Sequence, residues 1–192
     1  NRIREGGYDV MKCKNCNFVF LKDYSSIDYS LNYGGLTLSS EWSRDDALIK
    51  RSESLKKFNI VVASLINKKK NCTTLEIGAS IGASVYGLSK LVDRLNIDCV
   101  ELNIDEKKFL KERFNVSVFS RILDTDKQYQ VVYGHHVFEH FANPRVVLDE
   151  INKVSSNDCK VYFSLPNFDD FYFHTLNSEQ KEKYLTFNFH LA

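Results

Sequence analysis

An α/β fold built on a parallel sheet is what this 192-residue sequence predicts, on three observations. From Thr73 onward, short β-prone runs alternate with segments of helical periodicity, the signature of right-handed βαβ units. A Gly-x-x-x-Gly turn, Gly78 to Gly82, follows the first of those runs. Acidic residues and histidines then recur just past the carboxyl ends of later runs, where ligands bind in such folds.

The elements follow in order along the chain. Residues 8–12 and 17–21 (YDVMK and NFVFL) are β-prone and flank Cys13-Lys14-Asn15-Cys16, which reads as a knuckle or hairpin turn. Residues 23–40, with Tyr24, Tyr29, Tyr33, Gly34 and Gly35, have a loop composition with aromatic anchors. From about Glu41 to Asn67, Ala47, Leu48, Leu55, Phe58, Val62 and Leu65 recur at helical spacing. Five strands are expected at Thr73–Ile77, Ile97–Leu102, Val116–Phe119, Tyr129–Tyr133 and Lys160–Leu165. Helices are expected at Val85–Leu95, from an Asp105 cap to Phe114, and from Asn143-Pro144 to Val154, where a cap precedes a first-turn proline. This divides the chain into a small N-terminal appendage, residues 1–40, and a main domain, 41–192. The start at Asn1 and the end after His190-Leu191-Ala192 read as those of a piece of a longer protein, with the sheet truncated after its fifth strand.

Composition narrows the classes of function. With 26 basic against 25 acidic residues, the net charge of +1 provides no field for nucleic acid. No stretch approaches the roughly 18 apolar residues that span a bilayer. Arg2, Arg4, Glu5, Asp9 and Lys12 break up any leader-like run, so a cytoplasmic protein is expected. The odd cysteine count of five agrees, with Cys72, Cys99 and Cys159 read as reduced, buried thiols in or beside strands. Lys68-Lys69-Lys70 reads as a solvated helix end.

The chemistry gathers after three strands. In Leu75-Glu76-Ile77-Gly78-Ala79-Ser80-Ile81-Gly82, Gly78 permits a sharp turn and Gly82 a close approach of backbone to ligand. Glu76 sets a carboxylate beside that loop, repelling a pyrophosphate and welcoming a cationic amino-acid end. Glu101 lies 19 residues past Gly82, about the separation at which an acid reaches ribose hydroxyls. The fourth strand runs into Gly134-His135-His136-Val137-Phe138-Glu139-His140-Phe141-Ala142-Asn143-Pro144, with three histidines and a glutamate together. Their spacing suits zinc poorly, and no metal is expected.

These runs resemble the ordered motifs of class I S-adenosylmethionine-dependent methyltransferases, over residues 41–175. LEIGASIG is similar to the family's first motif and ELN to its second. GHHVFEHFANP resembles the fourth-strand region of the type 11, 12 and 23 families, and KVYFSLPN their fifth strand. The resemblance implies a Rossmann-like sheet with helices on both faces and S-adenosylmethionine as cofactor, S-adenosylhomocysteine (SAH) being the product. It places Glu76, Gly78, Ala79, Ser80 and Gly82 around the methionine moiety. Glu101 would lie on the ribose, Leu102, Asn103 or Ile104 near the adenine, and His135 beside the sulfonium. Tyr33 or Tyr29 would cover the cofactor. Ser80 stands where many members have a middle glycine, and Ser120-Arg121-Ile122-Leu123 does not match the adenine-side acidic motif. Cys13-x-x-Cys16 with Phe18 resembles half of the zinc module that precedes some sugar C-methyltransferases, but two ligands do not make a tetrahedral site.

The expected activity is methyl transfer to a small-molecule acceptor, of carbohydrate or sugar-nucleotide type, with no nucleic-acid or membrane partner; oligomeric state is not legible. His140, then His136, are the expected proton acceptors, with His190 a further candidate. Related sugar methyltransferases carry His-Glu-His where this chain reads Asn188-Phe189-His190, which counts against sugar C-methylation. Two alternatives stand beside this reading. One is a nicotinamide-dependent oxidoreductase, whose Gly-x-Gly-x-x-Gly would require glycine where Ser80 and Ala83 stand. The other is a non-catalytic module that holds the cofactor.

Overall fold

A computed structural model of the chain describes residues 2–5, 8–15, 19–21, 44–141, 143–165, 175 and 177. The chain divides into two compact units, residues 1–27 with 165–192 and residues 28–164. In the first, β1 (Arg2–Glu5), β2 (Tyr8–Lys12) and β3 (Val19–Leu21) form an antiparallel meander, with Ile3 opposite Val10 and Met11 opposite Phe20. The expected hairpin is present. β1 is an addition that its mostly charged sequence, RIRE, conceals.

The first described elements of the second unit are α1 (Arg44–Ser54) and α2 (Lys56–Ile66). One helix was expected over 41–67; two form because they bury different stripes. Ala47 and Leu48 of α1 pack with Ile81 and Ala83, while Phe58, Val62 and Ile66 of α2 join the sheet core. Leu55 leaves helical geometry between them, at φ −85° and ψ 3°.

Then follow β4 (Thr73–Ile77), α3 (Ala83–Ser89), β5 (Asn96–Val100), α4 (Ile104–Phe114), β6 (Ser117–Phe119), β7 (Tyr129–His135), α5 (Pro144–Lys153) and β8 (Ser155–Ser164). Single 3-10 turns occupy Ile122–Asp124 and Phe138–His140. All five strands are parallel, in the order β6-β5-β4-β7-β8. The order reverses between β4 and β7, so the crevice of this sheet opens at their carboxyl ends.

Alternation along the strands divides the core between two faces. Cys99, Val131 and Tyr133 pack beneath α2, α3 and α4, and Leu75, Ile77 and Val132 pack beneath α5. Helices therefore cover both faces, as expected. The expected helix to Leu95 stops at Ser89; Leu91 is 43% exposed, and Val92 and Leu95 reach the core from the loop beyond. Cys72 and Cys99 are buried, whereas Cys159 is half-buried on β8. Lys69, rather than being a solvated helix end, binds the Asp158 carboxylate and donates to its carbonyl at 3.2 Å.

The start of α4 also differs from expectation. Asn103, not Asp105, is the cap: its side chain accepts from the N–H groups of Asp105 and Glu106, at 2.9 and 3.1 Å. Asp105 instead lies in the first turn, where its charge favours the helix dipole. We expect Asn103→Ala to cost about 1 kcal/mol in urea unfolding, by loss of the cap. Asp105→Ala should cost roughly a third of that; equal losses would mean the cap is not the stronger contribution.

Candidate functional site

Beyond β4 the backbone takes three left-handed residues in five positions: Gly78 at φ +73°, Ser80 at φ +48° and Gly82 at φ +77°. A Cβ on Gly78 would stand 2.5 Å from Val137 Cγ2, so only glycine lets the turn after β7 close on this loop. The close approach at Gly82 is to Phe114 and Leu110, where a Cβ would meet ring and methyl carbons at 2.6 and 2.7 Å. Gly82 thus admits α4 at the start of α3. Ser80 has a side chain and still holds the left-handed conformation, at a strain on the order of 1 kcal/mol.

Glu101, just past β5, stabilises that conformation. Its Oε2 accepts from Ser80 N–H at 2.7 Å, and its Oε1 from the N–H groups of Leu102 and Asn103 at 2.8 and 2.9 Å. Three further loop amides are engaged too. Those of Gly78 and Ala79 donate to Val100 O, and that of Gly82 to Ala79 O. Glu106 of α4 adds a carboxyl whose Oε2 is buried without a hydrogen-bond partner among the described residues; burial holds its pKa above the usual carboxylate range, the Ser80 side chain opposing the shift. Sequence reasoning missed Glu106, although three residues past a capping asparagine is a place where a side chain turns back toward the preceding loop.

Glu76 was expected beside the loop; it is buried, at 4% exposure. Burial pushes its pKa up to about 8, the Glu101 charge adding to the shift and a hydrogen bond from Tyr133 opposing it. Tyr133 Oη donates to Glu76 Oε2 at 3.1 Å and lies 3.3 Å from Ser84 Oγ, which donates to Asn59 Oδ1 at 2.8 Å. A buried polar chain therefore runs from the end of β4 through α3 to α2.

The turn after β7 is the third part. Val137 packs against Gly78 and Gly134, and Phe138 packs on Phe141 and Phe163. His135 stacks on His136 at 4.2 Å between ring centroids and meets Phe58 at a tilt, at 4.9 Å, and its Nδ1 lies 2.7 Å from Ser164 Oγ. Burial, with the His136 charge second, holds the His135 pKa down to about 4, so the ring is neutral at physiological pH. His136 sits at φ +49° and donates its backbone N–H to Ser164 O. His140 donates its backbone N–H to Val137 O within the 3-10 turn. Both carboxylate oxygens of Glu139 are covered and have no hydrogen-bond partner among the described residues. Its pKa is pushed up to about 7 by burial.

The structure thus brings Glu76, Gly78, Ala79, Ser80, Gly82, Glu101 and His135 to the carboxyl ends of β4, β5 and β7. Ala79 is buried in the core, so only its backbone faces the loop, whereas Leu102 and Ile104 are 47% and 77% exposed beside it. Asn103 spends its side chain on the helix cap. Tyr29, Tyr33, Cys16 and His190 lie outside the described residues. Among the described residues no group of His, Cys, Asp or Glu could hold a metal ion, and no helix is long and apolar enough to cross a membrane.

The buried acid has a testable signature. The folded-state pKa of Glu76 lies above its ordinary value of 4.5, so the folded state holds the extra proton. Its contribution to stability is full below about pH 4.5 and is lost as pH rises through about 8. We expect Glu76→Gln to flatten the decline of unfolding free energy between pH 5 and 8, measured by urea titration. An unchanged slope would show that other groups set it.

The sequence matches no family model and no curated protein sequence. The structure is similar to that of the plantazolicin methyltransferase BpumL in complex with SAH, at 19% identity and TM-score 0.56, covering 78% of this chain and 63% of that one. The same enzyme with a pentazolic desmethylPZN analog and SAH aligns at 17% identity and TM-score 0.59, again over 78% and 63%. Coclaurine N-methyltransferase bound to N-methylheliamine and SAH aligns at 16% identity and TM-score 0.51, over 62% of this chain and 41% of that one. The chain therefore spans less than two thirds of the length of the methyltransferases it matches. In strand order, in helices on both faces and in the glycine turn at the strand reversal, it has the fold of the class I S-adenosylmethionine-dependent methyltransferases.

Proposed function

We propose that this chain carries the cofactor-binding core of an S-adenosylmethionine-dependent methyltransferase that acts on a small-molecule acceptor. The observation that carries the reading is the state of the glycine loop. The amides of Gly78, Ala79, Ser80 and Gly82 are all engaged, and the side chains set against the loop are carboxylates. A dinucleotide pyrophosphate needs free amides and no facing negative charge. A ligand with a cationic amino-acid end and a ribose suits the opposite arrangement, which favours this reading over the oxidoreductase.

In this assignment Glu76 and the backbone of Gly78–Gly82 receive the amino-acid end, and Glu101 the ribose hydroxyls. Leu102 and Ile104 offer apolar surface for the base, and His135 stands beside the sulfonium. Bound S-adenosylmethionine supplies an electrophilic methyl carbon with a neutral leaving group. The protein's task is then orientation and removal of the acceptor's proton. The turn His136–His140 supplies the groups for that removal. With near-neutral net charge, the acceptor we favour is carbohydrate-like rather than a nucleic acid.

Calorimetric titration should show binding of both S-adenosylmethionine and SAH, and addition of the protein should leave NADH fluorescence unchanged. Glu101→Ala should weaken SAH binding by about 1.5–3 kcal/mol, the worth of hydrogen bonds to a charged group. Unaltered affinity in that variant would remove Glu101 from the ribose.

A further inference from the structure

Glu76 is the most enclosed carboxyl at this end of the sheet, and its sheet neighbours are neutral. On its face it lies in register with Cys99 of β5 and Tyr133 of β7. Burial holds that thiol and that phenol well above their usual ranges, so neither carries charge near neutral pH. The one charge that reaches Glu76 is that of Glu101, of like sign, and no cation faces it among the described residues. Its Oε2 accepts from Tyr133 Oη, and its Oε1 has no donor among the described residues. Behind Tyr133, Ser84 of α3 holds one hydroxyl proton against two acceptors, Asn59 Oδ1 at 2.8 Å and Tyr133 Oη at 3.3 Å. With Ser84 donating toward Tyr133 Oη, the tyrosine's own proton is directed at Glu76. Asn59, buried on α2, anchors that serine.

We infer that Tyr133, aimed by Ser84 and Asn59, is a positioning residue for the cofactor's amino-acid end: acting through Glu76, it couples arrival of the ligand's ammonium group to loss of one proton from the protein. The inference rests on the methyltransferase reading, in which Glu76 meets that end. In the free protein, a buried carboxyl with a single neutral donor keeps its proton. As the ammonium approaches, the Glu76 O–H bond breaks and the proton leaves to water. An ammonium N–H then donates to the carboxylate. The Tyr133 donor stays through the exchange and eases it, because a hydrogen bond to a charged acceptor is stronger than one to a neutral acid.

Proton counting by calorimetry tests this, with SAH titrated at pH 8 in two buffers of different ionisation enthalpy. Burial pushes the Glu76 pKa up to about 8, so binding should release about half a proton more from the wild type than from Glu76→Gln. The Glu76→Gln count carries the contributions of the ligand's own amine and of the other titrating groups. Equal counts in the two proteins would overturn the inference. In Tyr133→Phe the carboxyl loses its donor and holds its proton more firmly. That variant should bind SAH roughly tenfold more weakly and release close to one proton from Glu76, a difference from the wild type that needs no baseline. Weaker binding with an unchanged count would make Tyr133 structural and overturn the inference. If Tyr133→Phe does not fold, Ser84→Ala decides: a raised count supports the positioning role, and an unchanged one overturns it. Failure of the wild type to bind SAH at all would instead sink the cofactor reading, and this inference with it.

Discussion

The geometry of the site depends on the carboxylate of Glu101. It gathers three amide donors from two segments, one across the crevice at Ser80 and two at its own strand end. Charge-assisted bonds of this kind are among the stronger in a protein, and three on one group can outweigh the strain stored at Ser80. Without that anchor, Ser80 loses the bond that holds its backbone left-handed. The loop would lose the shape that places Gly78 against Val137, and with it the position of the turn after β7.

The two acids buried on the sheet show how partner choice separates a structural role from a functional one. Asp98, in the middle of β5, is matched by Lys127 Nζ at 2.6 Å and Tyr129 Oη at 2.9 Å. It lies two residues short of the strand's carboxyl end, and its charge is answered within the protein. Glu76 has a tyrosine hydroxyl and no cation among the described residues, and stands where the crevice opens. A buried charge left without a counter-charge favours the neutral form until a cation arrives.

The alternation of strands with helices and the location of the crevice were legible because they follow from hydrophobic periodicity and from glycine, both local signals; the strand order comes from the structure. Gly78, Glu76, Glu101 and His135 stand at the strand ends where the sequence puts them. The cap at Asn103 was mistaken for Asp105 because both residue types favour that position, and only backbone geometry distinguishes them. Glu106, Ser164 and Val137 were missed since their roles come from tertiary neighbours: a serine across the crevice, a histidine 29 residues earlier, and a glycine loop on another strand. The break at Leu55 was hidden because each half of the helical pattern is regular, and only packing reveals that the two stripes face different clusters.

Ser80 also bears on kinetics. A glycine there would let the loop sample many conformations, and a ligand would have to freeze them on arrival. A serine already held by Glu101 and Glu106 has surrendered that freedom during folding. The entropy of ordering is then charged to the unfolded chain rather than to the complex. Association at such a loop is governed by diffusion and orientation, and differences in residence time fall to the contacts made after docking.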